Sequence, residues 1–196
     1  MINKGLEANY VLRSVDSDAE SATRPINHRV GELVRTLQLQ AHPEGGWYCE
    51  VFRSSAQVSC LDARVGRSAL TSIYFLLESA QHSQWHRVRS DEVWVYLEGD
   101  PLDLWSWDPV SKRAVHRVVG PVDAVSGSRP QHTIAADLWQ AAQPAALAIH
   151  GYTLVACMVG PGFDFADFTL LESDSLEAAE IRQAGLQVWS SSPERP

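Results

Sequence analysis

The chain has 196 residues, 45% of them hydrophobic and 20% charged, with a formal net charge of −8. This length suits one domain with its own hydrophobic core, and the acidic balance excludes the basic surface that a nucleic acid polymer requires. No apolar run approaches the roughly 20 residues that span a bilayer, and no secretion signal is recognisable, so we expect no membrane partner and a cytoplasmic location.

The chain divides into three predicted parts. Residues 1–25 lack any sustained hydrophobic period, and we expect a mobile arm or a strand supplied to a neighbouring subunit. Residues 26–172 are expected to form the folded domain, and residues 173–196 a short helix with a disordered tail. Apolar residues from Val30 to Leu37 recur at helical spacing, so a first helix is predicted there with Asn27 as its cap.

Many short stretches rich in tryptophan, tyrosine, valine, isoleucine and leucine follow, separated by turn residues. This pattern is typical of an all-β protein. Ten strands are predicted: Trp47–Arg53, Leu70–Glu78, Gln84–Val88, Glu92–Glu98, Leu102–Trp107, Ala114–Val119, His132–Ala135, Leu138–Ala141, Tyr152–Val159 and Asp167–Leu171. Closing them into a jelly-roll barrel would remove exposed sheet edges and leave room inside for a small ligand. A second helix is predicted over Leu176–Ala184, ended by Gly185.

One imidazole and two carboxylates lie close together within the strand-like sequence from Trp85 to Gly99. Side chains alternate along a strand, so His86 should share a face with Gln84, and Glu92 with Trp94 and Tyr96. If both faces point inward, the barrel contains a polar patch surrounded by aromatic residues, where excluded water strengthens electrostatic interactions. The sequence therefore predicts a site around His86, Asp91 and Glu92.

Four blocks of the sequence resemble one branch of the cupin superfamily, the fifth cupin group, whose members carry a domain of unknown function. They are His42-Pro-Glu-Gly-Gly with Glu50 and Arg53-Ser54, Trp85-His-Arg with Ser90-Asp-Glu-Val-Trp94, Trp139-Gln-Ala-Ala142, and Pro161-Gly-Phe-Asp-Phe165 with Asp167-Phe168. The blocks occur in order and span about three quarters of the chain. The resemblance implies a cupin-type double-stranded β-helix with one or two flanking helices, and we expect a homodimer.

The resemblance also implies that inward-facing histidines and a glutamate can hold a divalent metal. Here Gln84 stands where the first histidine of the metal-binding pattern would be, and Trp139 where its second motif would supply another. The predicted metal ligands are then His86, Glu92 and the amide of Gln84, with His82 or Glu50 as candidates to complete the set. We expect no cofactor to be required, although a divalent metal stays possible.

The metal-independent alternative is acid–base chemistry, as in cupins that epimerise or dehydrate sugar- and nucleotide-derived substrates. His86 is the predicted base, Asp91 or Glu92 would orient it, and a tyrosine would be the proton donor. The candidate donors are Tyr48, Tyr74 and Tyr96, and the predicted substrate-binding residues are Glu50, Arg53, Gln84, Trp94 and Trp139.

The functional prediction is a small-molecule-binding cupin that acts as an isomerase, epimerase or lyase on a sugar- or nucleotide-derived substrate. Two alternatives stay open, a metal-dependent enzyme resembling a dioxygenase and a protein that binds a small ligand without turnover.

Overall fold

Thirteen strands and two α-helices make up the described part of this computed structural model, which covers residues 28–62, 64–146 and 149–189. The helices are α1 (His28–Thr36) and α2 (Leu176–Gln183). The strands are β1 (Gln40–Ala41), β2 (Trp47–Arg53), β3 (Gln57–Val58), β4 (Arg67–Ser68), β5 (Thr71–Glu78), β6 (Ser83–Val88), β7 (Asp91–Gly99), β8 (Leu102–Asp108), β9 (Arg113–Val119), β10 (Gln131–Ile134), β11 (Trp139–Pro144), β12 (Tyr152–Gly160) and β13 (Phe168–Leu170).

All ten predicted strands are present, and both predicted helices are confirmed. Strands β1, β3 and β4 were not predicted, because two residues are too few to show an alternating pattern. Ser175 caps α2 by accepting a hydrogen bond from the main chain of Ala178. The predicted cap Asn27, the arm 1–25 and the end of the tail lie outside the described residues.

The strands form two large antiparallel sheets. The first has the order β1-β2-β5-β12-β7-β10, the second has the order β13-β6-β11-β8-β9, and β3 pairs with β4 in a small separate ribbon. Apolar side chains from both large sheets meet in one buried cluster, which includes Phe75, Trp94, Leu104, Ala142 and Val155. The two sheets therefore pack face to face, and the predicted all-β jelly-roll class with short flanking helices is confirmed.

Each large sheet is also covered on part of its outer face. Helix α1 packs Val30 and Leu33 against Leu76 and Leu154 of the first sheet. Helix α2 packs Ile181 against tryptophans of the second sheet. These outer layers explain why β5, β6 and β12 carry apolar residues on both faces. No helix among the described residues is long and apolar enough to cross a membrane.

A turn between β1 and β2 brings a buried glutamate against β6. It is closed by hydrogen bonds from His42 N to Gly46 O and from Gly45 N to His42 O, both 3.0 Å. The main-chain oxygen of Glu44 accepts a 2.8 Å hydrogen bond from Gln84 N in β6. Gly45 has a positive φ of 109°, and a Cβ there would overlap the main-chain oxygen of His82. The turn can approach β6 this closely only because Gly45 has no side chain.

Replacing Gly45 with alanine should therefore destabilise the protein and displace Glu44. The matched control is Gly185→Ala, which also has a positive φ but has no atom within 4 Å of the added Cβ. The control should cost roughly 1–2 kcal/mol for the unfavourable backbone conformation. Gly45→Ala should cost clearly more in urea unfolding, because the steric overlap is added, and equal losses would contradict this account of the turn.

Candidate functional site

The interior of the barrel is packed at one end and open at the other. The open end is a cavity of about 330 Å³. Its walls come from β1, β2, β5, β6, β7 and β12 and from the segment around the 3-10 helix Phe165–Asp167. The ionisable or polar lining residues are Gln40, His42, Glu44, Tyr48, Glu50, Arg53, Thr71, His86, Glu92, Cys157 and Asp164.

The carboxyl group of Glu44 lies at the centre of the buried polar groups. Its Oε2 is 3.3 Å from Nε2 of His86 and 3.6 Å from Nδ1 of His42. Its Oε1 accepts a 2.9 Å hydrogen bond from the hydroxyl of Ser83. Glu44 and His86 are 6% and 2% exposed, so bulk water does not screen their interaction.

The main chain fixes the tautomer of His86. Nδ1 of its ring is 2.8 Å from the carbonyl oxygen of Gln84. Because a carbonyl oxygen only accepts hydrogen bonds, Nδ1 must carry the proton in the neutral ring. The unprotonated Nε2, which can act as a base, lies 3.3 Å from Oε2 of Glu44.

Burial keeps both members of this pair uncharged. It raises the pKa of Glu44 to about 8, an effect that the hydrogen bond from Ser83 partly offsets, and it lowers the pKa of His86. Burial also lowers the pKa of His42 to about 3, and the neighbouring His86 adds to this effect. At neutral pH the pair is therefore a protonated carboxyl group beside a neutral imidazole.

A second carboxyl group faces the cavity from β7. Oε2 of Glu92 accepts a 2.6 Å hydrogen bond from the amide of Gln140, whose oxygen accepts from the Trp94 indole at 3.0 Å. Burial raises the pKa of Glu92. Burial is also the main reason why the pKa of the Cys157 thiol is raised, and the nearby Glu92 and Glu44 add to that effect. These hydrogen bonds hold Glu92 in one orientation on the cavity wall.

Comparisons with known proteins identify the family of this chain. A family model described as cupin superfamily (DUF985) matches residues 31–171. The chain belongs to this cupin family. None of the curated proteins matches it.

Solved structures agree with this assignment. A hypothetical protein from Leishmania major is 34% identical with a TM-score of 0.69, covering 78% of this chain and 96% of that one. A protein from Shewanella oneidensis is 30% identical with a TM-score of 0.67, covering 79% and 92%. An oxalate decarboxylase from Lactobacillus farciminis is 13% identical with a TM-score of 0.48, covering 76% and 39%, and nothing about activity follows from that likeness.

Five of the predicted site residues line the cavity of this cupin: His86, Glu92, Tyr48, Glu50 and Arg53. Tyr48 packs its ring edge against His42, with ring centroids 4.5 Å apart, and its hydroxyl has no hydrogen-bond partner among the described residues. Glu50 and Arg53 pair with each other at the exposed mouth. The catalytic and binding roles assigned to these residues stay predictions.

Gln84 does not share the inner face with His86, and this expectation requires correction. In the pairing of β6 with β11, His86 is opposite Gln140 and Ser83 is opposite Ala142, so β6 contains one extra residue there. Such a bulge changes the alternation of side chains. Ser83 contacts Glu44 in place of Gln84, and Gln84 contributes its main chain to the site but does not line the cavity.

Trp139 also lies away from the cavity, in contrast to the prediction. It is buried in the outer cluster with Trp85 and Ile181, beneath the guanidinium group of Arg87. Neighbouring residues on a strand face opposite sides, so Gln140 is the residue of β11 that reaches the interior.

The other four predicted site residues do not line the cavity either. Asp91 is exposed and accepts a hydrogen bond from Ala136 N, because it faces away from Glu92 on β7. Tyr74 packs in the cluster beneath α1. Tyr96 and Trp94 point inward as expected, but they belong to the packed core. The Tyr96 hydroxyl donates to Gly99 O.

Sequence reasoning did not identify Glu44, His42 or Gln140 as functional. His42 and Glu44 belong to a block that was recognised only as a turn and a family signature. The sequence did contain a signal. A turn does not need ionisable side chains, yet this one has a histidine and a glutamate beside its two glycines, which indicates a role beyond the turn itself.

The predicted metal set does not fit this arrangement. Gln84 lies outside the cavity lining, so only His86 and Glu92 of the predicted set face the cavity. Within the described ranges, no three His, Cys, Asp or Glu side chains are arranged to hold a metal ion. His82, suggested as a further ligand, stacks on Trp189 instead.

The raised pKa of Glu44 predicts a characteristic dependence of stability on pH. The folded protein retains this proton up to about pH 8, whereas the unfolded chain loses it near the ordinary value of 4.5. The native state therefore binds more protons than the unfolded state between these values, and stability falls as pH rises. The free energy of unfolding of wild type relative to Glu44→Gln should decrease from pH 5 to pH 8.5 in urea titrations. A constant difference over this range would contradict the assignment.

Proposed function

We propose that this cupin is an enzyme that transfers protons on a small, sugar- or nucleotide-derived substrate, as an isomerase, epimerase or dehydratase. The observation that carries the proposal is the buried contact between Glu44 Oε2 and His86 Nε2, with both groups lining one cavity. A neutral acid beside a neutral base, with displaced pKa values and shielding from water, is the arrangement that acid–base catalysis uses.

The pair supplies both groups that enolisation requires. Glu44 donates its proton to the carbonyl oxygen of the substrate, and His86 Nε2 removes the proton from the adjacent carbon. The electrons of the broken C–H bond form the C=C bond of the enol, while Glu44 becomes a carboxylate and His86 an imidazolium. The pair stays neutral overall, and the attraction between the two adjacent new charges offsets part of the desolvation cost of forming them.

The fate of the enol decides the reaction class. Return of a proton to the opposite face of the enol inverts the configuration of the carbon, which is epimerisation. Loss of a β-hydroxyl group from the enol is dehydration. Tyr48 is the proposed second proton donor, because it lines the cavity and its hydroxyl has no protein partner among the described residues.

Hydrogen exchange with solvent tests this proposal without knowledge of the product. Aldoses, ketoses and keto acids are incubated with the protein in D₂O, and NMR follows loss of the C–H signal next to the carbonyl. His86→Gln should lower the exchange rate constant by at least about 10²-fold, the usual contribution of a positioned base. The exposed His116→Gln is the matched control and should exchange at the wild-type rate.

Three results would refute the proposal. Full exchange by His86→Gln would remove the base from the mechanism. Exchange that is abolished by a chelator and restored by a divalent metal would assign the chemistry to a metal-dependent cupin. Saturable binding of a ligand with no exchange in wild type would indicate a binding protein without turnover.

The rate of exchange should depend on pH in a bell-shaped manner. The mechanism needs a protonated Glu44, so the rate should fall as pH rises through about 8. It also needs a neutral His86, whose pKa burial lowers, so the acidic decline should lie below the ordinary value of 6.5. Glu44→Gln should lower the rate and abolish the alkaline decline. An alkaline decline that persists in this variant would show that another group donates the proton.

A further inference from the structure

The charges lining the cavity restrict the kind of substrate that it can bind. We propose that the substrate carries no phosphate or carboxylate and is a free or amino sugar, not a sugar phosphate or a nucleotide sugar. This inference rests on the proposed function, since it concerns the same cavity. It narrows the sugar- or nucleotide-derived class that the sequence predicts.

The described lining contains one arginine, Arg53, and no lysine. The guanidinium edge with which Arg53 could bind a phosphate is already hydrogen-bonded to other groups of the protein. Arg53 donates from Nε and Nη2 to the two carboxylate oxygens of Glu50, at 3.0 and 2.6 Å. Its Nη1 donates to the carbonyl oxygen of Phe163 at 3.0 Å. A phosphate would need this same bidentate edge, so it would have to displace Glu50.

The remaining ionisable groups in the lining give an anion no cation to bind. Four carboxyl groups face the cavity, two at depth from Glu44 and Glu92 and two from Glu50 and Asp164. At the mouth, Arg53 balances one of the two carboxylates there. An anionic ligand would therefore lose its hydration without gaining an unpaired cation, which is costly at a partly enclosed site.

The shape and apolar lining suit an uncharged ring. A volume of about 330 Å³ is near the lower end of the roughly 300–1,000 Å³ typical of ligand pockets. Three phenylalanines, Phe163, Phe165 and Phe168, form one wall with centroids 5.0 to 6.1 Å apart. Aromatic faces pack against the C–H face of a sugar ring, while the carboxyl and imidazole groups can hydrogen-bond its hydroxyls. An amino group would gain further attraction from the acidic lining.

Binding to matched pairs of sugars tests the inference. Thermal unfolding is measured with glucose, galactose, mannose and ribose, with glucosamine, with the corresponding sugar phosphates and with UDP-glucose. At least one free or amino sugar should raise the Tm, and it should do so more than its phosphate ester at equal concentration. Greater stabilisation by a phosphate or nucleotide derivative would overturn the inference. A panel in which no free or amino sugar raises the Tm would overturn it as well.

A gain-of-function variant tests the role of Glu50. Glu50→Gln removes one carboxylate and releases the bidentate edge of Arg53, so the affinity for the phosphate ester of the binding sugar should rise at least fivefold. Glu172→Gln, an exposed substitution away from the cavity lining, is the matched control and should leave both affinities unchanged. Unchanged phosphate affinity in Glu50→Gln would contradict the proposed exclusion by Glu50.

The outcomes separate this inference from the proposed function. Free sugars that bind but do not exchange hydrogen would refute proton transfer and leave the substrate class standing. Exchange that occurs only on phosphorylated sugars and depends on His86 would support the enzyme and refute the substrate class.

Discussion

The site depends on a carboxyl group that is buried before any ligand arrives. Glu44 reaches the interior because its turn is bound to β6 through Gln84 N and because Gly45 allows close approach. A buried carboxylate is costly unless it is paired, so the group keeps its proton and hydrogen-bonds to neutral partners. The same burial that displaces the pKa of Glu44 makes it a proton donor at neutral pH. Folding thus creates the reactive state of the side chain.

Short stretches rich in tryptophan, tyrosine, valine, isoleucine and leucine, separated by turn residues, were sufficient to predict the ten longer strands and the jelly-roll class. Helix α1 shows apolar residues at helical spacing, and α2 was predicted from charged residues on one side and from Gly185 after its end. Side chains also alternate between the two faces of a strand. The inward orientation of His86 and Glu92 followed from the same rule. The two-residue strands were missed, since two residues establish no period.

The composition of the site was harder to predict, because it depends on irregularities and long-range contacts. The bulge in β6 replaces Gln84 with Ser83 on the inner face, and no local signal in the sequence marks it. The partner of His86 is a glutamate 42 positions earlier in the chain, so the acidic neighbours Asp91 and Glu92 were chosen in its place. The resemblance to a known family drew attention to the block that contains Glu44 without revealing what Glu44 contacts.

The charge balance of the cavity links the chemistry to the substrate. In the proposed step, Glu44 gives a proton to the substrate and His86 takes another from it. A neutral pair is thereby replaced by a carboxylate and an imidazolium, whose charges sum to zero. Burial disfavours each of the two new charges, and their mutual attraction offsets part of this cost because they are adjacent. A substrate phosphate would add negative charge beside the Glu44 carboxylate as it forms, and it would oppose the donation of the proton. A site that works by this exchange is therefore best matched to a substrate without charge, and the engagement of Arg53 by Glu50 at the mouth is consistent with that requirement.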